Sequence, residues 1–450
     1  MSKSKNSIIN IETTDLSEFP EIPELPNQNE VFSYFLKNVA NKISIFQFSN
    51  NKKEKEEIEI IKLNSSNGKW YSGRYIGEVK FHFGKNIYSI KIKPRFGSLN
   101  FYNMLEEVFN FKFTNSKSSK IESEFQFLIR KFISFLWLHT ISKSNKHGLP
   151  KKNEWKLYIG TKVKGRIDIR SSVNLIPFGK LKSIYREKLL NQEILRILRK
   201  AYQILIKNYG LKDNYITENA KEVVENILNL TNNSLINEHD YKRIKYNDIY
   251  ISFKPAVDLS WKIIKHKNLG ILNKDEAKED FGILVDMAEI WELYLKSILK
   301  KSLSKIGWQI VPNVFRVYSK KLFFTTIIPD IVFQKNDNII IFDAKYKKME
   351  FGHKDFDQSD FFQVHTYINY LQQFHNVRLG GLLYPISKDI DTITLDNLRA
   401  NTLYSSEKGE TKYIIDGINM SKVNDESIDK NLFLSETNKF TNRINSLITS

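Results

Sequence analysis

Residues 328–347 read Ile328-Pro329-Asp330-Ile331-Val332-Phe333-Gln334-Lys335-Asn336-Asp337-Asn338-Ile339-Ile340-Ile341-Phe342-Asp343-Ala344-Lys345-Tyr346-Lys347. Two strand-like runs, 326–333 and 339–346, flank a polar turn. Apolar runs rarely end in Asp-x-Lys, because a charge on a buried strand costs several kcal/mol unless it is paired or metal-bound. If the turn centres on Asn336-Asp337, Asp330 falls directly opposite Asp343, with their Cβ atoms about 4.5–5.5 Å apart on one face. Strand alternation keeps Lys345 on the face of Asp343 and sends Ala344 to the other. Two carboxylates in so small a space repel unless a cation joins them, and their hard oxygens suit Mg²⁺ or Mn²⁺. Pro329 fits a strand start, where its missing N–H costs little. The alternative is a surface hairpin with scattered charges.

Outward from this hairpin, 283–303 has the spacing of an amphipathic helix, with Leu284, Met287, Trp291, Tyr294, Leu295 and Ile298 on one face. Glu292 lies at the margin of that stripe. A second helix is expected over 359–374, where Gln363 and Tyr367 stand four apart on one face, and a further strand over 380–384. Helix, strands, helix, strand describes a mixed α/β layer structure. Upstream, Val79, Phe81 and Phe83 alternate with polar residues, Gly84-Lys85 suits a tight turn, and Tyr88, Ile90 and Ile92 alternate back. The spacing predicts an extended acidic arm over 1–30, with Pro20, Pro23 and Pro26 among acids. It also predicts a β-rich N-terminal domain over 31–115, a mainly helical basic middle region over 116–280, and an α/β domain over 281–450 with a polar tail. A loop is expected over 232–248. The fold class is α/β multidomain.

The chain has 450 residues, 41% hydrophobic and 13% aromatic, which is ample for buried cores and excludes wholesale disorder. No stretch approaches the roughly 18 uncharged apolar residues of a membrane span, and the first residues lack a signal-peptide apolar region. With zero cysteines, disulfides, thiolate zinc sites and a cysteine nucleophile are excluded. A soluble, cytoplasmic protein is expected. The net charge of +18 suggests a polyanion partner, since each neutralised phosphate releases a counterion. Residues 141–200 alone hold 16 Lys or Arg against 4 Asp or Glu, whereas residues 1–30 hold two Lys against six acids. The basic block is either a nucleic-acid surface or a solvated face.

The ordered series Glu292, Pro329-Asp330, Asp343-Ala344-Lys345 and Gln363-x-x-x-Tyr367 resembles the PD-(D/E)xK nuclease superfamily, in the subgroup with a Gln-x-x-x-Tyr helix after the Asp-x-Lys strand. Further blocks resemble the McrC family, the nuclease subunit of McrBC modification-dependent restriction systems: Asp286-Met-Ala-Glu-Ile-Trp-Glu292-Leu-Tyr294, Phe362-Gln-Val-His-Thr-Tyr367 and Leu382-Leu-Tyr-Pro385. Tyr75-Ile-Gly-Glu-Val-Lys80, Ile90-Lys-Ile-Lys-Pro-Arg95, Asn103-Met-Leu105, Lys164-Gly-Arg-Ile-Asp168 and Asn191-Gln-Glu-Ile-Leu195 have counterparts there too, so the similarity spans about residues 70–390.

The resemblance implies a restriction-endonuclease-like mixed sheet flanked by helices, and a DNA endonuclease active in antiviral defence. It implies Mg²⁺ (or Mn²⁺) held by Asp330 and Asp343, helped by the Ala344 carbonyl and Glu292. Lys345 would be catalytic, with Gln363 and Tyr367 in support. The partners would be double-stranded DNA and an AAA+ GTPase of McrB type, docked through the N-terminal domain in a hetero-oligomer, its hydrolysis stimulated by this chain. No G-x-x-x-x-G-K-[ST] phosphate loop occurs here, so a motor is expected in trans. Gly380-Gly381 is read as a strand end, and His353 and His365 as incidental. Two other functions fit the same residues: a non-catalytic DNA-binding scaffold regulating an AAA+ motor, and a stand-alone PD-(D/E)xK endonuclease.

Overall fold

The alternating run around Val79–Phe83 pairs with its mirror run across the Gly84-Lys85 turn, as strands Tyr75–Phe83 and Asn86–Lys93 with Phe83 opposite Asn86. Gly84 sits at φ +62°, the left-handed conformation that such two-residue turns demand. The computed structural model describes residues 8–22, 27–46, 59–109, 124–209, 211, 218–232, 236–265, 281–317, 325–350, 357–387, 400–406, 409–421 and 430–449. They belong to two compact units, 1–117 with 278–450, and 118–277.

In the first unit the hairpin sits inside a five-stranded sheet, ordered Ile8–Thr14, Asn86–Lys93, Tyr75–Phe83, Phe281–Asp286, Ser44–Phe46. Two expectations change here. Residues 8–14, expected in an unpacked arm, pair parallel to Asn86–Lys93. Ile9 and Ile11 enter the core while Glu12 on the other face meets Lys91 and Lys93. The acids and prolines masked this short period-two pattern. Pro23 and Pro26 lie outside the described residues. Residues 283–286, expected at a helix start, belong to strand Phe281–Asp286, antiparallel to Tyr75–Phe83. The helix begins at Met287 because Asp286 caps it, its Oδ1 accepting the Ala288 N–H at 2.9 Å.

The same unit holds a six-stranded mixed sheet, ordered Gln309–Ile310, Ile331–Lys335, Asn338–Ala344, Asn376–Ile386, Gly409–Asn419, Ala400–Ser406. The first of the expected strands is split, because Ile328-Pro329-Asp330 separates Thr326–Ile327 from Ile331–Lys335. The polar stretch after 400 supplies two strands of this sheet and the helix Lys430–Thr449. Helix Gln358–Gln372 packs Val364, Tyr367, Ile368 and Leu371 on the face that presents Ile339 and Ile341. Helices Met287–Leu303 and Lys430–Thr449 take the other face. Trp291 donates to the Leu383 carbonyl, the Tyr294 and Thr437 hydroxyls meet at 2.8 Å, and Arg443 reaches Asp416.

Gly380 and Gly381 lie inside strand Asn376–Ile386 and do not end it. A Cβ at 380 would come within 2.5 Å of Ile368 Cδ1, so the bare backbone lets helix Gln358–Gln372 approach. Gly380→Val should therefore destabilise the fold by about 1–3 kcal/mol through overpacking. An unchanged urea midpoint would show that the helix does not rest there.

The second unit packs helices Glu124–Ser144, Gln192–Tyr209, Glu218–Leu230 and Lys254–Lys265, with Trp137 Nε1 donating to Ser260 Oγ at 2.7 Å in its core. Besides the helices, this region carries a three-stranded sheet of Lys151–Gly160, Leu181–Leu190 and Arg166–Ile167. A short helix, Glu238–Arg243, with an Asn237–Asp240 capping box interrupts the expected 232–248 loop. Among the described residues no helix is long and apolar enough to cross a membrane.

Candidate active site

The Asn336-Asp337 turn forms as expected, with Asn336 at φ +54° and Lys335 opposite Asn338. The ladder runs to Ile331 opposite Phe342, and one further step in that register sets Asp330 against Asp343. Asp330 Oδ2 accepts the Ala344 N–H at 2.8 Å, tying the start of one strand to the end of the other. Asn313 Nδ2 donates to the Pro329 carbonyl at 2.7 Å and steadies the approach to Asp330. Both aspartates are only 2% exposed.

Lys345 gathers the rest. Its ammonium lies 2.7 Å from Asp343 Oδ2 and 3.2 Å from Asp360 Oδ1, and donates to Gln363 Oε1 at 2.7 Å. Gln363 Nε2 in turn donates to the Tyr367 hydroxyl at 2.7 Å, so the i, i+4 pair on the helix backs the lysine from one side. Burial alone would lower the Lys345 pKa, but Asp343 and then Asp360 outweigh it and hold it above the ordinary lysine value. The Tyr367 hydroxyl is pushed up to about 12, first by burial and then by Asp343. Lysine stays charged and tyrosine neutral near neutral pH, leaving a cation ringed by oxygens.

The fold therefore brings together Asp330, Asp343, Ala344, Lys345, Gln363 and Tyr367. Glu292 is half-buried on helix Met287–Leu303. Among the described residues no three His, Asp or Glu side chains converge closely enough to hold one cation, Glu292 with the aspartate pair included. His365 lies tilted against Phe361, ring centroids 4.0 Å apart, in an aromatic cluster with Tyr413. His353 lies outside the described residues.

Asp360 and Lys347 take part without having been expected to. Asp360, 4% exposed, accepts from Lys347 at 2.7 Å and from the Tyr384 hydroxyl at 3.4 Å, besides facing Lys345. Lys347 also bonds Asp357 at 2.8 Å, and with Ser359 holds that carboxyl well below the usual carboxylate range. Asp357 caps the helix and Asp360 lies in its first turn. Acids there are ordinary complements of the helix dipole, so nothing in the spacing marked Asp360 as different. As a donor set, the buried aspartate pair fits Mg²⁺, which proteins bind through one or two carboxylates while keeping several waters.

The basic block at 141–200 interleaves its charges with exposed apolar and aromatic side chains. On strand Lys151–Gly160, Trp155, Leu157 and Ile159 are exposed at alternate positions, opposite Arg186, Ile184 and Lys182. The Arg186 guanidinium lies 4.8 Å from the Trp155 ring centre, and Lys164 lies 4.6 Å from that of Tyr158.

The family model of the McrBC 5-methylcytosine restriction system component matches residues 72–385, well over half of the chain. Two solved assemblies from Thermococcus gammatolerans also match, each at 12% identity. One is a half-complex of McrB AAA+ hexamers with bound McrC, covering 98% of this chain and 100% of that one at a TM-score of 0.46. The other is the McrBC complex solved by cryo-EM, covering 66% and 88% at a TM-score of 0.32. No curated protein matches. With the Tyr75–Lys93 hairpin, the middle unit and the aspartate–lysine hairpin all inside the matched span, the chain belongs to the McrBC 5-methylcytosine restriction system component family.

Proposed function

We propose that this chain is the DNA-cleaving subunit of a McrBC-type restriction complex, a cytoplasmic Mg²⁺-dependent endonuclease of PD-(D/E)xK type. The observation that supports this most is the buried pair Asp330 and Asp343 beside the half-buried Lys345, whose Nζ lies 2.7 Å from Asp343. Asp330 and Asp343 would hold Mg²⁺ or Mn²⁺, with the Ala344 carbonyl as a further ligand. Such an ion, when bound, stabilises charge on the scissile phosphate and lowers the pKa of a coordinated water. Lys345 offers a fixed positive charge for the negative charge that develops on the phosphate, and it is pre-oriented by Gln363 and Asp360. Tyr367 holds Gln363 in place through the hydroxyl it presents to that amide.

Double-stranded DNA is the substrate in this reading, and the exposed cationic and aromatic sheet of the middle unit is where it would meet a polyanion. Lys164→Glu with Arg186→Glu should weaken DNA binding and reduce the slope of log K against log salt by about 0.9 for each phosphate no longer neutralised. An unchanged slope would remove DNA from that face. Because the sequence holds no phosphate loop, nucleotide hydrolysis falls to an AAA+ GTPase in the same hetero-oligomer, which this chain would stimulate.

The test is cleavage by the purified chain with Mg²⁺, alone and with its AAA+ partner plus GTP or ATP, on modified and unmodified DNA. Cutting only with partner and nucleotide supports the proposal. Cutting by the chain alone favours a self-contained endonuclease. Stimulated partner hydrolysis without any Asp343-dependent cutting leaves a scaffold.

A further inference from the structure

Immediately beyond Lys345 the chain loses regular strand pairing. Lys345 N–H still bonds the Leu383 carbonyl at 2.9 Å, and among the described residues backbone pairing resumes only where Met349 meets Ile386. Between those points the segment leans on Arg95, which follows strand Asn86–Lys93, and on Phe96, whose ring meets that of Tyr346 edge to face with centroids 6.3 Å apart. The Arg95 guanidinium lies 4.7 Å from the Tyr346 ring centre and 4.5 Å from that of Phe96, and its Nη2 donates to the Lys347 carbonyl at 3.1 Å. Arg95 is itself fixed by Asp15, a wholly buried carboxylate just past strand Ile8–Thr14. Asp15 Oδ1 accepts the Arg95 backbone N–H at 2.7 Å, and Oδ2 lies 3.7 Å from its Nε.

The contacts continue into the site. Lys347, whose carbonyl Arg95 holds, places its ammonium 2.7 Å from Asp360 Oδ2, and the other oxygen of Asp360 lies 3.2 Å from Lys345 Nζ. We propose that Arg95 is a positioning residue for Lys345, acting through the Tyr346–Lys347 backbone and Asp360, so that the N-terminal sheet sets the geometry of the site. This rests on reading Asp343 and Lys345 as a nuclease centre. Arg95 can do this because a guanidinium offers a flat face to a ring and a donor fork to a carbonyl at once, while remaining paired with a carboxylate. A lysine at 95 would keep a cation beside Asp15 but has neither plane nor fork. Arg95→Lys thus separates loss of position from loss of buried charge.

The experiment compares wild type, Arg95→Lys, Asp360→Asn and their double variant as full chains. Three readouts are taken: hydrogen exchange of the 344–349 amides, melting temperature, and single-turnover cleavage at saturating Mg²⁺ in the complex with the AAA+ partner. Arg95→Lys should exchange at least about tenfold faster at 344–349 with little change in melting temperature. Its cleavage rate at saturating DNA should fall roughly 10–100-fold with the half-saturating DNA concentration unchanged, the size expected for a displacement of about 1 Å. The two substitutions should be non-additive, as members of one network are. Unchanged exchange, a loss confined to DNA affinity, or strictly additive effects would overturn the proposal. Wild-type cleavage with Arg95→Lys at the same rate overturns the positioning role alone. Absence of any Asp343-dependent cleavage by the wild type overturns the nuclease reading and this role with it.

Discussion

Asp343→Ala should lower the cleavage rate of the assembled complex about 10³-fold or more while leaving the fold and partner binding intact. The rate effect follows from removing one of two buried carboxylates that would hold the catalytic ion, whose charge stabilisation amounts to several kcal/mol, at about 1.4 kcal/mol per tenfold. The small effect on folding follows from the surroundings of Lys345. Asp343 is 2% exposed and ion-paired, and deleting a buried partner usually strands a charge. Here the ammonium keeps Asp360 Oδ1 at 3.2 Å and Gln363 Oε1 at 2.7 Å, so it remains neutralised and hydrogen-bonded. Single-turnover cleavage measured beside a urea titration checks both halves. A variant that cuts within threefold of wild type would end the assignment of Asp343 as a metal ligand. One that no longer folds would show that Asp360 cannot stand in.

The second large effect concerns stability. Arg443, on helix Lys430–Thr449, donates Nε to Asp416 Oδ2 at 3.1 Å and Nη2 to Oδ1 at 2.9 Å, with a further bond to the Gly417 carbonyl. Asp416 is wholly buried in strand Gly409–Asn419. Arg443→Met would leave that carboxylate with no arginine beside it, a loss expected to cost about 3–5 kcal/mol. Adding Asp416→Leu should recover most of it, since replacing a buried pair by apolar groups is often near neutral. Urea midpoints of the wild type and the two variants decide the matter. A single variant as stable as wild type would mean that the helix docks through its apolar residues Phe433, Phe440 and Ile444 alone.

Much of the site was legible because its parts lie close in sequence. The Asn336-Asp337 turn sets the hairpin register, and the register sets Asp330 against Asp343 and Lys345 beside Asp343. The four-residue spacing of Gln363 and Tyr367 gave their shared face, and the structure turns that face toward Lys345. Asp360 was hidden because its position in a helix first turn has an ordinary local explanation. Glu292 was grouped with the aspartates from chain order and from its place at the margin of the helix's apolar stripe. Its helix packs on the opposite face of the sheet from Gln358–Gln372, the side to which Asp343 presents Lys345.

The fold divides along the same line. Sequence alone determined the two hairpins, the helical faces and the mixed α/β class, because each depends on turn chemistry and side-chain periodicity within about twenty residues. Tertiary structure alone decided that Ile8–Thr14 and Phe281–Asp286 complete one sheet, that Ala400–Ser406 and Gly409–Asn419 extend another, and that Arg95 meets Lys347 across 252 positions. Short apolar runs such as 8–11 and 283–285 fit a strand or a helix turn equally well. Which they become depends on the partner surface that buries them, and that surface is supplied by distant parts of the chain.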